Sequence, residues 1–225
     1  MQAVILAAGK GLRLRPFTEH HPKPLIPIAD KALIEYTLES LPDNISEIII
    51  VIGYLAEQIK DHLGDSWQGK PIRYVVQEQL LGTGDALLQA KSLVDQNFLV
   101  VNGDDLYDKK DLTALLVDPL SILAWKSTIA TIFGLSVDSN HQLLGFDPNS
   151  SLVNCGAYHL TKEFFDSPLA EVVVHDKTEY SLPHTLAKIA EHEKVMVVPA
   201  THWLPVGTPA EHQFANGYYI KKIAE

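Results

Sequence analysis

Residues 4–28, VILAAGKGLRLRPFTEHHPKPLIPI, decide the fold. Val4, Ile5, Leu6 and Ala7 lead through Ala8 into a loop containing Gly9 and Gly11. Lys10, Arg13, Arg15 and Lys23 follow, with Glu19 the only acid among them. A continuous apolar run closed by glycine predicts a first, buried strand over residues 4–8. Small residues after a strand let backbone N–H groups approach a phosphate closely, and the cations offset its charge. In a chain of formal net charge -10 this is an island of positive charge suited to a triphosphate. Pro22, Pro24 and Pro27 predict an extended segment beyond it, because proline fixes φ and biases the preceding residue away from helix.

Working outward, Leu33, Ile34, Thr37, Leu38 and Leu41 form the apolar stripe of a helix that begins near Ala32 and ends at Pro42. The run EIIIVIG at 47–53 predicts a second buried strand, and Leu55, Ile59 and Leu63 share one face of a short helix over 55–63. A strand over 72–77, a helix over 85–93 and a strand over 98–102 follow, the last ending at Gly103-Asp104. This alternation predicts an α/β fold whose mostly parallel sheet has right-handed crossovers. Ligands bind such sheets at the carboxyl ends of the strands, which puts residues 9–15, Gln77 and Asp104 along one edge. After about residue 120 the pattern changes to strands over 129–137, 142–146 and 152–160, separated by turn-forming Asp138-Ser139-Asn140 and Pro148-Asn149-Ser150. Helices over 180–190 and 209–223 flank a strand over 195–199. The expectation is one domain over 1–225, with the second half built onto the same sheet.

At 225 residues, 46% hydrophobic and 20% charged, the chain has the composition of an ordinary globular α/β domain. Its acidic balance argues against nucleic-acid or anionic-membrane partners, whose surfaces attract Lys and Arg. One cysteine, Cys155, allows no internal disulfide and is expected to be a small buried hydrophobe. The N-terminal run MQAVILAAG lacks a basic leader region and no apolar run approaches ~18 residues, so the expected location is cytoplasmic.

Two common phosphate loops are excluded. A dinucleotide-binding turn would want a third glycine at position 14, which is Leu, and an acid at the end of the second strand, which is Gly53. A Walker-type loop would want Gly-Lys-Ser/Thr four residues after a glycine, and none is present. The longer string LAAGKGLRLRPFT, followed by PKPLIPI, closely resembles the signature of the sugar-1-phosphate nucleotidylyltransferases, also called nucleoside-diphosphate-sugar pyrophosphorylases. It departs at Leu12, where that family usually carries Thr or Ser.

The resemblance extends along the chain and implies a Rossmann-like, mostly parallel mixed sheet flanked by helices, a GT-A-like nucleotidyltransferase domain. Its nucleotide-binding part would run over about 1–118 and its sugar-binding part over about 119–225. Gln77-Glu78-Gln79-Leu80-Leu81-Gly82-Thr83-Gly84-Asp85-Ala86 resembles the nucleobase segment, in which Gln77, Gly82 and Thr83 would read the base. Leu6, Ala8, Gly9 and Gly11 would cradle the nucleotide. Arg13 would act on the β- and γ-phosphates and Lys23 on the α-phosphate. Asn102-Gly103-Asp104-Asp105 resembles the metal segment, with Asp104 on Mg²⁺; a hard cation prefers such oxygen ligands. Phe133-Gly134-Leu135, Val153-Asn154-Cys155-Gly156-Ala157-Tyr158 and Glu179-Tyr180 resemble sugar-binding segments and point to Gly134, Asn154 and Glu179.

Trp203-Leu204-Pro205-Val206-Gly207-Thr208-Pro209 resembles a family segment W-x-D-x-G-T-P, but Pro205 stands where an aspartate usually supplies a second metal ligand. Asp105 and Asp176 are the candidates to replace it. The implied activity is transfer of a nucleotidyl group from a nucleoside triphosphate, UTP or dTTP by analogy with the pyrimidine-using branch, to a sugar 1-phosphate, releasing pyrophosphate. A cytidylyltransferase acting on a non-sugar phosphate such as phosphocholine, and a degenerate nucleotide-sugar sensor or regulatory subunit, remain the alternatives. The sugar is left open, as is assembly into a homo-oligomer.

Overall fold

The computed structural model describes residues 1–128, 134–174 and 176–224. Eight strands form the central sheet: β1 Gln2–Leu6, β2 Glu47–Ile52, β3 Ser66–Trp67, β4 Lys70–Val76, β5 Asn97–Asn102, β6 Ser121–Lys126, β7 Leu152–Thr161 and β8 Met196–Pro199. Their order is β8-β6-β7-β5-β1-β2-β4-β3. Strand β1 lies parallel to β2 and to β5, with Leu6 level with Val51 on one side and Asn102 on the other. Strands β2 and β4 are parallel, as are β6 and β8. Strand β7 runs antiparallel to both β5 and β6, which makes the sheet mixed.

The near-continuous apolar strands are explained by burial on both faces. Val4, Leu6, Val51, Val100 and Ile122 point into one layer with Leu87, Leu182 and Leu186. Ile5, Ile48, Ile50, Leu99 and Val101 point into the other with Ile34, Leu38, Ile59 and Leu112. The helices supplying these contacts are α1 Leu33–Glu39, α2 Ala56–Leu63, α3 Thr83–Gln89, α4 Lys109–Leu115 and α5 Leu182–Ile189; α6 Pro209–Ala224 follows them. Among the described residues no helix is long and apolar enough to cross a membrane.

A third cluster matters most for the site. Leu14, Ile26, Ile28, Leu33, Leu106, Val206 and Ala215 pack together, so the basic loop is seated on α1 and α6 by its own apolar residues. The segment expected to be extended is instead folded by 3₁₀ turns at Leu12–Leu14 and Lys23–Leu25, before a short ribbon of Pro27–Ile28 with Lys31–Ala32. The prolines remain compatible because Pro22 precedes the second turn in extended conformation and Pro24 lies within its first positions.

Several expected boundaries shift. The first helix stops at Glu39, before Pro42, with Ser40 as its cap. The helix expected over 180–190 begins at Leu182, because Lys177–Ser181 pairs as an antiparallel ribbon with Ala170–Val174. Strand β6 and helix α4 were not anticipated; Asp108 caps α4 by accepting from the Lys110 N–H at 2.8 Å. Of the strand expected over 129–137, residues 129–133 lie outside the described residues, while Leu135–Val137 pairs with Leu143–Phe146. Cys155 is fully buried.

Candidate active site

The carboxyl ends of β1, β2, β4 and β5 form one edge, and the basic loop leaves from its centre. Leu6, Ala7 and Ala8 are buried, and Ala8 accepts a backbone hydrogen bond from the Tyr54 N–H at 3.0 Å, which ties the start of the loop to the end of β2. Gly9 and Lys10 are exposed beyond it. Gly11 has φ +60, and its carbonyl oxygen accepts from Thr18 Oγ1 at 2.8 Å and from the Leu14 N–H at 2.9 Å. A side chain there would meet Thr18 Cγ2 at 2.9 Å and Lys23 Cβ at 3.0 Å. Glycine therefore lets the loop close over the Lys23 stem. Leu12, the residue replacing the usual hydroxyl, is 58% exposed.

Lys23 is nearly buried, and its Nζ is ion-paired with Asp104 Oδ2, whose side chain is 33% exposed. This pair joins the basic loop to the end of β5 and places an ammonium and a carboxylate together where a phosphate could approach. Arg13 is exposed, and its guanidinium lies against Gly207 at the start of α6. Glu211 braces that turn by accepting from the Gly207 N–H at 2.8 Å and Thr208 Oγ1 at 3.0 Å.

Pro205 is level with Asp105 in the antiparallel ribbon that Trp203–Pro205 makes with Asp105–Tyr107. Of the two replacement ligands expected, Asp105 turns its carboxylate inward, toward Asn102 Nδ2 at 3.4 Å and the backbone of Val206. Burial, with the Asp104 charge second, pushes its carboxyl up to about 7, opposed by Lys23 and these hydrogen bonds. Asp176 is exposed with φ +61 in the turn joining Ala170–Val174 to Lys177–Ser181. Among the described residues no three carboxylate, His or Cys groups cluster as a ready metal cage.

The nucleobase segment follows β4. Gln77 is 4% exposed, its N–H donates to the Ile52 carbonyl at 2.8 Å, and its Nε2 donates to Gly82 O at 3.1 Å and to Asp85 Oδ2 at 2.8 Å. Gly82 has φ +97, and a Cβ built on it would fall 2.5 Å from Tyr180 O. The Tyr180 N–H donates to Leu81 O at 2.6 Å and the Leu182 N–H to Thr83 Oγ1 at 3.1 Å. Glu179, adjacent to Tyr180 and half-buried, is thus brought beside Gly82, with its Cβ 3.0 Å from that glycine's would-be side chain.

Asn154 lies where β7 bulges against β6. Its Oδ1 accepts from the Gly156 N–H at 2.8 Å and its Nδ2 donates to Tyr158 Oη at 2.7 Å. Gly134 bridges to Val153 and accepts from the Asp147 N–H at 2.8 Å, near a cavity of about 550 Å³ lined by Lys126, Ser136, His141 and Asp147 together with Leu135, Leu152 and Val197. The structure therefore brings the base loop and Glu179 into contact and joins Lys23 to Asp104, while Gly134 sits beside Val153 at the start of β7, the strand next to β5. Asp85 and Glu211, which brace Gln77 and the turn beneath Arg13, were not singled out from sequence. Asp85's place one turn from a glycine-rich loop was the available signal.

Comparisons with known proteins bear on the family and the fold. The family model described as nucleotidyl transferase matches residues 2–219. The bifunctional protein GlmU of Methanocaldococcus jannaschii is 33% identical over 230 residues, covering 99% of this chain and 55% of that protein. The chain thus spans about half the length of that relative. UTP–glucose-1-phosphate uridylyltransferase AglF of Haloferax volcanii is 31% identical, covering 73% of this chain and 74% of its own. Among solved structures, a UDP-glucose pyrophosphorylase from Acinetobacter baumanii superposes with a TM-score of 0.81 at 18% identity, covering 97% of this chain and 92% of that one, a likeness of fold.

Proposed function

The chain belongs to the nucleotidyl transferase family, and from that premise we propose that it transfers a nucleotidyl group from UTP or dTTP to a sugar 1-phosphate, giving a nucleoside-diphosphate sugar and pyrophosphate. The observation that carries this reading is the Lys23–Asp104 pair, held at the carboxyl edge directly after the glycine loop. The relative named as a UTP–glucose-1-phosphate uridylyltransferase supports it.

In this reading an oxygen of the sugar 1-phosphate attacks the α-phosphorus and the bond to the β-phosphate oxygen breaks. The attacking phosphate monoester is largely dianionic near neutral pH, so no general base is required. Catalysis is alignment plus charge neutralisation. Lys23 neutralises the α-phosphate, and Arg13, free to leave its seat at Gly207, follows the departing β- and γ-phosphates. Backbone at Leu6, Ala8, Gly9 and Gly11 lines the nucleotide, and Gln77, Gly82 and Thr83 hold the base. Gly134, Asn154 and Glu179 serve the sugar side. Residues up to about 118 thus serve the nucleotide and those after it the sugar.

The donor set fits Mg²⁺: the partly exposed Asp104 carboxylate supplies one hard oxygen, and this cation binds through one or two carboxylates with substrate phosphates and water. When bound, it would neutralise charge on the triphosphate. Pro205 is the observation favouring the alternative, a sensor that binds nucleotide sugar without turnover. The test is pyrophosphate release over a matrix of nucleoside triphosphates and phosphorylated acceptors, phosphocholine included, with and without Mg²⁺. Release confined to sugar 1-phosphates and dependent on Mg²⁺ is expected. Silence over the matrix, with retained Mg²⁺-independent binding, would replace the enzyme by the sensor.

A further inference from the structure

We propose that Asp85 is a positioning residue that fixes the amide of Gln77 with its oxygen toward the base, so that the site takes the ring N3–H of uracil or thymine. The inference rests on the base-site reading above. A glutamine amide ordinarily offers a donor and an acceptor and can turn over to suit its partner. Here both faces of that choice are decided by the chain. Gln77 Nε2 donates to Asp85 Oδ2 at 2.8 Å and to the Gly82 carbonyl at 3.1 Å. An ionised carboxylate and a backbone carbonyl can only accept, so turning the amide would set Gln77 Oε1 against two acceptors.

Asp85 is itself held. Its other oxygen, Oδ1, accepts from Gln89 Nε2 at 3.4 Å, and Gln89 Nε2 also reaches the Asp85 carbonyl at 3.3 Å, one turn along α3. The Gln77 backbone is pinned to Ile52, and Gly82 is fixed against Tyr180. Among the described residues no donor reaches Gln77 Oε1, while Nε2 is engaged twice. The atom of the amide left for a ligand is therefore an acceptor.

An acceptor at this place discriminates between pyrimidines in one pose. Uracil and thymine carry N3–H, which Oε1 accepts. Cytosine carries a bare N3, itself an acceptor, and leaves two acceptors facing each other in a largely buried site. Asp85 also stands in the first turn of α3, where a carboxylate favours the helix dipole. That role would affect stability and all nucleotides alike.

The test is kcat/KM for UTP, CTP and N3-methyl-UTP, measured by pyrophosphate release with the sugar 1-phosphate the wild-type enzyme uses. Asp85→Asn offers Gln77 either a donor or an acceptor, leaving Gly82 O as the remaining bias. The UTP-to-CTP ratio is expected to fall by about tenfold, the loss of one charge-assisted hydrogen bond's preference, chiefly through KM. Equal losses for UTP and CTP, or an unchanged ratio, would overturn the role of Asp85. The wild-type enzyme gives an independent check: N3-methyl-UTP used as well as UTP would overturn the N3–H contact. If UTP turnover is indifferent to Gln77→Ala, the base-site reading falls instead.

Discussion

Replacing Lys23 by methionine keeps the unbranched apolar stem of the side chain and removes its charged end. The ammonium is nearly buried and paired with Asp104, so it is a fixed charge in a site shielded from water rather than a mobile surface lysine. Losing one such preorganised group typically costs about 10²–10³ in turnover. The structural cost is smaller. Breaking a buried ion pair costs roughly 3–5 kcal/mol, but the Asp104 side chain is 33% exposed and keeps much of its hydration, so about 1–2 kcal/mol is expected. For a chain of this size that lowers Tm by roughly 2–8 °C, within the margin of an ordinary fold. The assay is initial-rate pyrophosphate release at saturating nucleotide, beside a thermal melt. Lys31→Met, which breaks an exposed pair with Glu39, is the control and should leave turnover unchanged. A folded Lys23→Met enzyme within about threefold of wild-type turnover would refute the assignment.

Arg13→Ala should lower turnover by about 10²-fold or more with little change in Tm, because the side chain is exposed and rests on Gly207; near-normal turnover would remove it from the mechanism. Gly82→Ala places a Cβ 2.5 Å from a backbone oxygen at φ +97, a strain of at least about 1–3 kcal/mol. It should separate the base loop from Tyr180, lowering Tm and raising KM for the nucleotide; a variant with both values unchanged would show that the loop does not need this approach. His159 is held below the ordinary imidazole range by burial, opposed by the Asp118 carbonyl, which lies 2.6 Å from Nδ1. The unfolded chain therefore binds its proton first, and stability should fall as pH drops below about 6.5. His159→Gln should flatten part of that slope in urea midpoints between pH 7.5 and 5.5, and identical slopes would exclude the contribution.

The residues most legible in sequence were those whose local chemistry and final position coincide. The apolar runs at 4–8, 47–53 and 98–102 read as buried strands because both faces of the sheet are covered, and the loop glycines and cations follow directly from the end of the first run. Position in the fold then placed Gln77 and Asp104 at the same edge as Lys23. Less legible were features decided by distant pairing. Tyr180 and Ser181 look helical beside Leu182 and Leu186, yet Lys177–Ser181 pairs with Ala170–Val174 because Val172, Val173 and Thr178 favour a ribbon. Strand β6 lacks an alternating pattern because it is buried between β8 and β7. Asp105 reads as a possible ligand from its neighbour Asp104, but the pairing of Asp105–Tyr107 with Trp203–Pro205, some hundred residues away, turns it inward. The bracing by Asp85 depends on a side-chain orientation that no spacing encodes.

In the proposed reaction a sugar-phosphate oxygen displaces pyrophosphate at the α-phosphorus. It is tested most directly by running the reaction with a sugar 1-phosphate whose non-bridging phosphate oxygens are ¹⁸O and weighing the products by mass spectrometry. The account predicts that all the label is retained in the nucleoside-diphosphate sugar, one atom of it in the new P–O–P bridge, and that pyrophosphate is unlabelled. Label in the released pyrophosphate, or a product lacking the labelled bridge, would contradict it.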